Sequence, residues 1–142
     1  MKQKQDAYRK ARPVTKQTRN TRQRQMVLDA VLAHRNHPNA EQLYFELRLV
    51  NAKISRGTVY RNLKILSQCG IIQNINISGI ERFDRRVEPH PHLLCTDCGA
   101  LCDASLPYKA HLDQELAEQT GYQINRHQTI FEGVCPDCQS RR

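Results

Sequence analysis

Residues 55–84 read "SRGTVYRNLKILSQCGIIQNINISGIERFD", and a change within this stretch from helical to alternating periodicity decides the fold. Ser55 stands where a helix N-cap is needed, Val59, Leu63 and Leu66 recur at helical spacing, and Gly70 occupies the C′ position. The pattern predicts a helix buried along one stripe. Its other face carries Arg56, Tyr60, Arg61 and Lys64, the basic and hydrogen-bonding groups that a recognition helix offers to the DNA major groove. A plain solvated face would also be basic, so the neighbouring sequence has to decide. "IIQNINI" and "IERFD" alternate around Ser78-Gly79, which predicts a β-hairpin directly after the helix.

Upstream, "HPNAEQLYFELRLV" (37–50) restarts a helix with Asn39 as N-cap and Gln42 three positions on, a capping-box spacing. Leu43, Leu47 and Val50 supply its apolar stripe. "TRQRQMVLDAVLAH" (21–34) places Met26, Val27, Ala30 and Val31 at helical spacing behind Thr21 as cap. Three helices and a hairpin predict a winged-helix DNA-binding domain over residues 21–85.

The charge lies elsewhere. Of the 22 Lys and Arg residues nine fall in residues 1–24, against one Asp, which leaves thirteen of each sign in residues 25–142. The net charge of +8 therefore belongs to an arm with no Leu, Ile or Phe to bury. Residues 1–20 are expected to be disordered alone and suited to electrostatic capture of phosphates, or to serve as a solubilising tail. No apolar run approaches the roughly 20 residues of a membrane span, and no apolar segment follows the basic N-terminus. The expectation is a soluble, cytoplasmic protein with no membrane role.

Downstream, "HPHLLCT" and "ALCDAS" read as two strands around the turn "DCG", "YKAHLDQELAEQTG" as a helix ending at Gly121, and "YQINRHQTIFEGV" as a strand before "CPDC". Residues 86–142 are thus predicted to be a small α/β domain, and the whole chain an α+β protein. Cys95-x-x-Cys98 and Cys135-x-x-Cys138 flank this unit with the paired spacing of a closed structural zinc site, one Zn²⁺ per subunit, which has no open position for a substrate. The remaining cysteines fall outside the pattern. Cys69 is expected to be a small core residue, and Cys102 to face away from its neighbour Asp103.

Oxygen and nitrogen donors gather beside these thiols. His90 and His92 share a strand face, and Asp103 lies on the returning strand. Asp84 ends the wing and His37 precedes the second helix. Isolated histidines such as His34, His111 and His127 read as structural or solvated.

"HPNAEQLY", "SRGTVYRNL", "GII", "ERFD", "HPHLLCTDCG" and "GVCPDC" occur in the order and approximate spacing of the ferric uptake regulator family, metal-dependent bacterial repressors. The chain resembles that family over about residues 21–139. In the peroxide-sensing branch a regulatory site is formed at the positions held here by His37, Asp84, His90, His92 and Asp103, and all five residue types agree. The iron-sensing branch usually has Glu in place of the two aspartates and a richer His/Asp run where this chain has "EPHPHL". The additional site frequent in that branch is not expected, although His127 matches one of its usual ligands.

The resemblance implies that Fe²⁺ or Mn²⁺, one per subunit, occupies the regulatory site and closes the protein onto a palindromic double-stranded operator as a homodimer. With iron bound, hydrogen peroxide would oxidise His37 or His90 and release the DNA. Tyr60 and Arg61 are expected at bases, Arg56 and Lys64 at phosphates. The protein would be a switch and not an enzyme. A metal-uptake regulator using the same site without oxidation is the nearest alternative. A zinc deaminase would need His-x-Glu before Pro-Cys-x-x-Cys, whereas this chain has His90-Pro91-His92 and Val134-Cys135. A zinc-ribbon adaptor would leave the helix and wing unused.

Overall fold

The computed structural model describes residues 22–142; the basic arm and the cap expected at Thr21 lie outside them. Among the described residues the chain forms α1 (Arg22–Ala33), α2 (Ala40–Val50), α3 (Arg56–Gln68), β1 (Gln73–Ile77), β2 (Ile80–Asp84), β3 (His92–Cys95), β4 (Leu101–Asp103), α4 (Ala110–Thr120), β5 (Ile130–Gly133) and α5 (Pro136–Ser140). They divide into two compact units, one ending at Glu88 and the other beginning at Pro89.

In the first unit the expected caps are in place. Asn39 Oδ1 accepts from the Gln42 amide while the Gln42 side chain accepts from the Asn39 amide, the reciprocal box that opens α2. Ser55 Oγ accepts from the Thr58 amide and opens α3. Val27 and Val31 of α1, Leu43 and Leu47 of α2, and Val59, Leu63 and Leu66 of α3 meet with Phe83 of the wing in one buried cluster. Each such side chain contributes roughly 1.5–3 kcal/mol by leaving water. Val50 does not join them: it is 76% exposed, because the last turn of α2 runs beyond the cluster. Cys69 is also no core residue; it is half-buried at the C-cap of α3. Asn62 is buried instead, donating to the Thr58 carbonyl and accepting from Arg24 Nε.

The hairpin pairs Gln73 with Asp84 and Ile77 with Ile80. Ser78 and Gly79 both take positive φ, 53° and 83°, the combination of a type I′ turn whose twist matches the strands. Residues 37–39 run beside β2: the Phe83 amide donates to the Pro38 carbonyl, Asn39 bridges Arg82, and Arg82 Nε donates to the His37 carbonyl. The wing therefore carries the segment preceding α2 along its edge.

In the second unit β3 is central, antiparallel to β4 and parallel to β5. The predicted strand over 122–134 forms only at Ile130–Gly133. The His127 amide donates to the Tyr108 hydroxyl and not to a ladder partner, a case of side-chain bonding competing with sheet. "CPDC" does more than turn, since Cys135 precedes the short helix α5. Burial is sparse: Leu101 is wholly buried, while α4 and α5 bury no residue.

Candidate metal centres and recognition surface

The thiol cluster is built by two backbone devices. Cys95 ends β3 and the turn after it, closed by the Gly99 amide bonding to the Cys95 carbonyl, returns Cys98 toward it. Cys135 and Cys138 sit about one helical turn apart at the start of α5. The four Sγ atoms lie within 4.8 Å of one another, and Cys98 and Cys135 are 3.9 Å apart. A tetrahedral zinc with bonds near 2.3 Å sets its sulfurs about 3.8 Å apart, whereas a disulfide requires about 2.05 Å. All six cysteines are free, and the spacing fits zinc.

The electrostatics agree. The Cys95 thiol is lowered to about 6 by backbone N–H groups of Cys135 and then Cys98 directed at its sulfur. Cys138 is pushed up, first by its bond to Cys135. Converging sulfurs resist gathering negative charge, and a dication removes that penalty.

The oxygen and nitrogen donors form one group in each unit. In the first, His37 Nε2 lies 3.1 Å from Asp84 Oδ2, and both side chains are 3% exposed. The pair exists because the segment at 37–39 is strapped to β2, which Asp84 ends. Arg82, two residues before Asp84, ties down the His37 carbonyl. Arg82 carries no motif of its own in the sequence, and only alternation along β2 places it on the side of Asp84. In the second unit, His92 pairs with Asp103 across β3 and β4. Asp103 Oδ1 is 2.9 Å from His90 Nε2 and 3.7 Å from His92 Nε2, with the two rings 4.4 Å apart. Buried imidazoles presenting Nε2 to carboxylates form a donor set suited to a divalent Mn or Fe ion. Each of the five residues predicted from sequence thus stands in one of these two groups.

Cys102 is exposed on β4 opposite Leu93, on the other face from Asp103 as expected. His127 belongs to a separate cluster: its ring stacks on Tyr108 at 4.4 Å and bonds Asp113 Oδ1 at 2.6 Å, while Tyr108 donates to Asp113 Oδ2. That carboxyl is held low by its bonds to Tyr108 and His127, against the opposing effect of its partial burial.

On the first unit Arg56, Tyr60, Arg61 and Lys64 are all exposed on α3. Tyr60, Arg61 and Lys64 line an open cleft of about 500 Å³ that the wing completes with Asn74, Glu81 and Phe83. Glu41, which no sequence signal singled out, contacts two of these side chains.

The profile of the ferric uptake regulator family matches residues 15–132. The peroxide-responsive repressor PerR of Staphylococcus saprophyticus is 31% identical over 124 residues, covering 87% of this chain and 84% of that protein. Among solved structures, the Campylobacter jejuni peroxide stress regulator is similar with a TM-score of 0.66 and 31% identity over 82% of this chain and 88% of its own. A zinc-bound manganese uptake regulator is similar at 0.64 and 27% identity, over 92% of this chain and 97% of its own. With the matching profile spanning most of its length and the two donor chemistries in place, the chain belongs to the ferric uptake regulator family.

Proposed function

We propose that this protein is a metal-dependent transcriptional repressor that senses hydrogen peroxide by oxidation of a ligand histidine and thereby derepresses oxidative-stress genes. The observation that carries the proposal is the donor set itself: three buried histidines with aspartate, not glutamate, at both carboxylate positions. Similarity to proteins named as peroxide-responsive regulators supports it.

His37, Asp84, His90, His92 and Asp103 would hold the regulatory ion, and an ion that binds one state of the protein more tightly would shift the population toward that state, here the one competent for DNA. When bound, ferrous iron would open the peroxide O–O bond by giving one electron, and over the whole step the ring would lose two electrons and gain one oxygen while the other leaves as water. By the family resemblance His37 and His90 would be the rings that take up oxygen, and an oxidised ring is a poorer ligand. Cys95, Cys98, Cys135 and Cys138 would hold structural zinc throughout. A homodimer in the cytoplasm would present two copies of α3 to half-sites of a palindromic operator. Tyr60 and Arg61 would read bases, and Arg56 and Lys64 would meet phosphates.

The test is binding to a duplex selected from a random pool, by protein loaded with Fe²⁺ or Mn²⁺, before and after a low dose of peroxide, with peptide mass spectra. Loss of binding in the iron form alone, with one oxygen added to His37 or His90, is expected. Equal release from both forms would sink the proposal. Reversible metal-dependent binding with intact histidines would identify a metal-uptake regulator, the reading favoured by similarity to the manganese uptake regulator.

A further inference from the structure

Glu41 is the second residue of α2, an ordinary place for an acidic side chain because the helix N-terminus favours negative charge. Its partners are less ordinary. Arg56 Nε donates to both carboxylate oxygens, at 3.2 and 3.4 Å, and the Tyr60 hydroxyl donates to Oε1 at 3.0 Å. The Arg56 guanidinium also lies 4.6 Å over the ring of Tyr44, a buried residue of α2. One carboxylate thus ties down two of the four α3 side chains expected to meet DNA. Arg61 and Lys64 line the cleft beside the wing together with Tyr60 and have no bond to Glu41.

Exposed ion pairs add little to stability, and the buried cluster of this unit does not include Glu41, Arg56 or Tyr60. The arrangement has a clear consequence for DNA, however. Arg56 meets Glu41 through Nε alone, so its Nη groups can still reach a phosphate, but its charge is already balanced by a carboxylate that stands beside the incoming backbone. The cost of that carboxylate falls on every duplex, whatever its sequence. The same carboxylate fixes the direction of the Tyr60 hydroxyl, and this benefits only a duplex with a matching base edge.

Resting on the DNA-binding reading above, we propose that Glu41 is a specificity-determining residue: it holds back the phosphate contact of Arg56 and positions Tyr60 for base recognition. The charge and positioning roles separate by substitution. Glu41→Gln removes the charge but keeps an acceptor for the Tyr60 hydroxyl; Glu41→Ala removes both.

Full-length manganese-loaded protein would be titrated, across a salt series, with a duplex selected from a random pool by the wild type and with a scrambled duplex. Glu41→Gln should bind both about three- to tenfold more tightly at low salt, with a salt slope steeper by about 0.9, the increment of one further phosphate contact. Glu41→Ala should gain on the scrambled duplex alone, so that discrimination falls about tenfold. Tyr60→Phe should lose the same discrimination, and the Glu41→Ala, Tyr60→Phe double variant no more than either. An unchanged salt slope in Glu41→Gln, or wild-type discrimination in Glu41→Ala, would overturn the assignment while leaving DNA binding intact. If the wild type selects no sequence at all, the DNA-binding reading fails and the role of Glu41 fails with it.

Discussion

Removing zinc from the cysteine cluster should unfold the unit that begins at Pro89 and spare the unit that ends at Glu88. The magnitude follows from what each unit buries. In the second unit the buried apolar side chains are Leu101, Pro91, Ala104 and Cys95, and neither helix contributes one. At about 1.5–3 kcal/mol for a buried leucine and less for the smaller residues, apolar burial supplies on the order of 5 kcal/mol. Structural zinc bound by four thiolates is worth roughly 10–16 kcal/mol at neutral pH. The metal is therefore the larger contribution. The first unit has a cluster of twelve buried hydrophobic residues and no cysteine among them. Hydrogen exchange read by mass spectrometry, on reduced protein with and without excess chelator, resolves the two. Peptides covering β3, β4 and α5 should lose protection, while those covering α1 to α3 keep it. Retained protection in β3 of metal-free, reduced protein would refute the reasoning.

Arg61→Ala should reduce discrimination between selected and scrambled duplexes by about 1–3 kcal/mol in a binding titration; a uniform loss on both would make Arg61 a phosphate contact. Asp103→Asn should weaken Mn²⁺ binding more than Co²⁺ binding in equilibrium dialysis, because it removes a hard oxygen charge and leaves the imidazoles; an equal loss for both ions would show that Asp103 does not set metal preference. His34 bonds Glu46 at 2.7 Å and also Asn36, and although partial burial lowers its pKa, these bonds and the charge of Glu46 raise it above 6.5. A folded pKa above the unfolded value gives stability that is fully present below about 6.5 and lost as pH rises through the raised value. His34→Gln should flatten that part of the pH–stability curve in urea titrations, and an unchanged slope would remove His34 as its source.

The parts of this molecule legible in the sequence are those where a local rule has no competitor. Asn39 and Gln42, Ser55, Gly70 and the Ser78-Gly79 turn act through the backbone nearest to them, so spacing alone located them. The two cysteine pairs were equally plain because few other functions need that spacing. Where tertiary context decides, the reading failed. Val50 continues the α2 stripe in sequence but lies beyond the reach of α1 and α3. The alternation of 122–129 reads as strand, yet His127 and Tyr108 bond each other in place of a ladder. Glu41 and Arg82 act on residues that are distant in sequence, fifteen positions away for Arg56 and forty-five for His37. No window along the chain could link them.

The two donor sets also differ in what they can report. Four thiolates in a closed tetrahedron favour zinc strongly and shield it, so the cysteine site would stay filled over a wide range of supply. Imidazoles and carboxylates follow the general order of divalent affinities, in which manganese and iron rank below zinc. Selection of the weaker binders then depends on which ions are available at the site. A second unit held together by zinc at the thiolates would let the nitrogen and oxygen donors exchange their ion without unfolding. A loss of regulation caused by a change at His37, Asp84, His90, His92 or Asp103 should consequently leave zinc content and hydrogen-exchange protection intact, whereas a change at Cys95 should lose all three together.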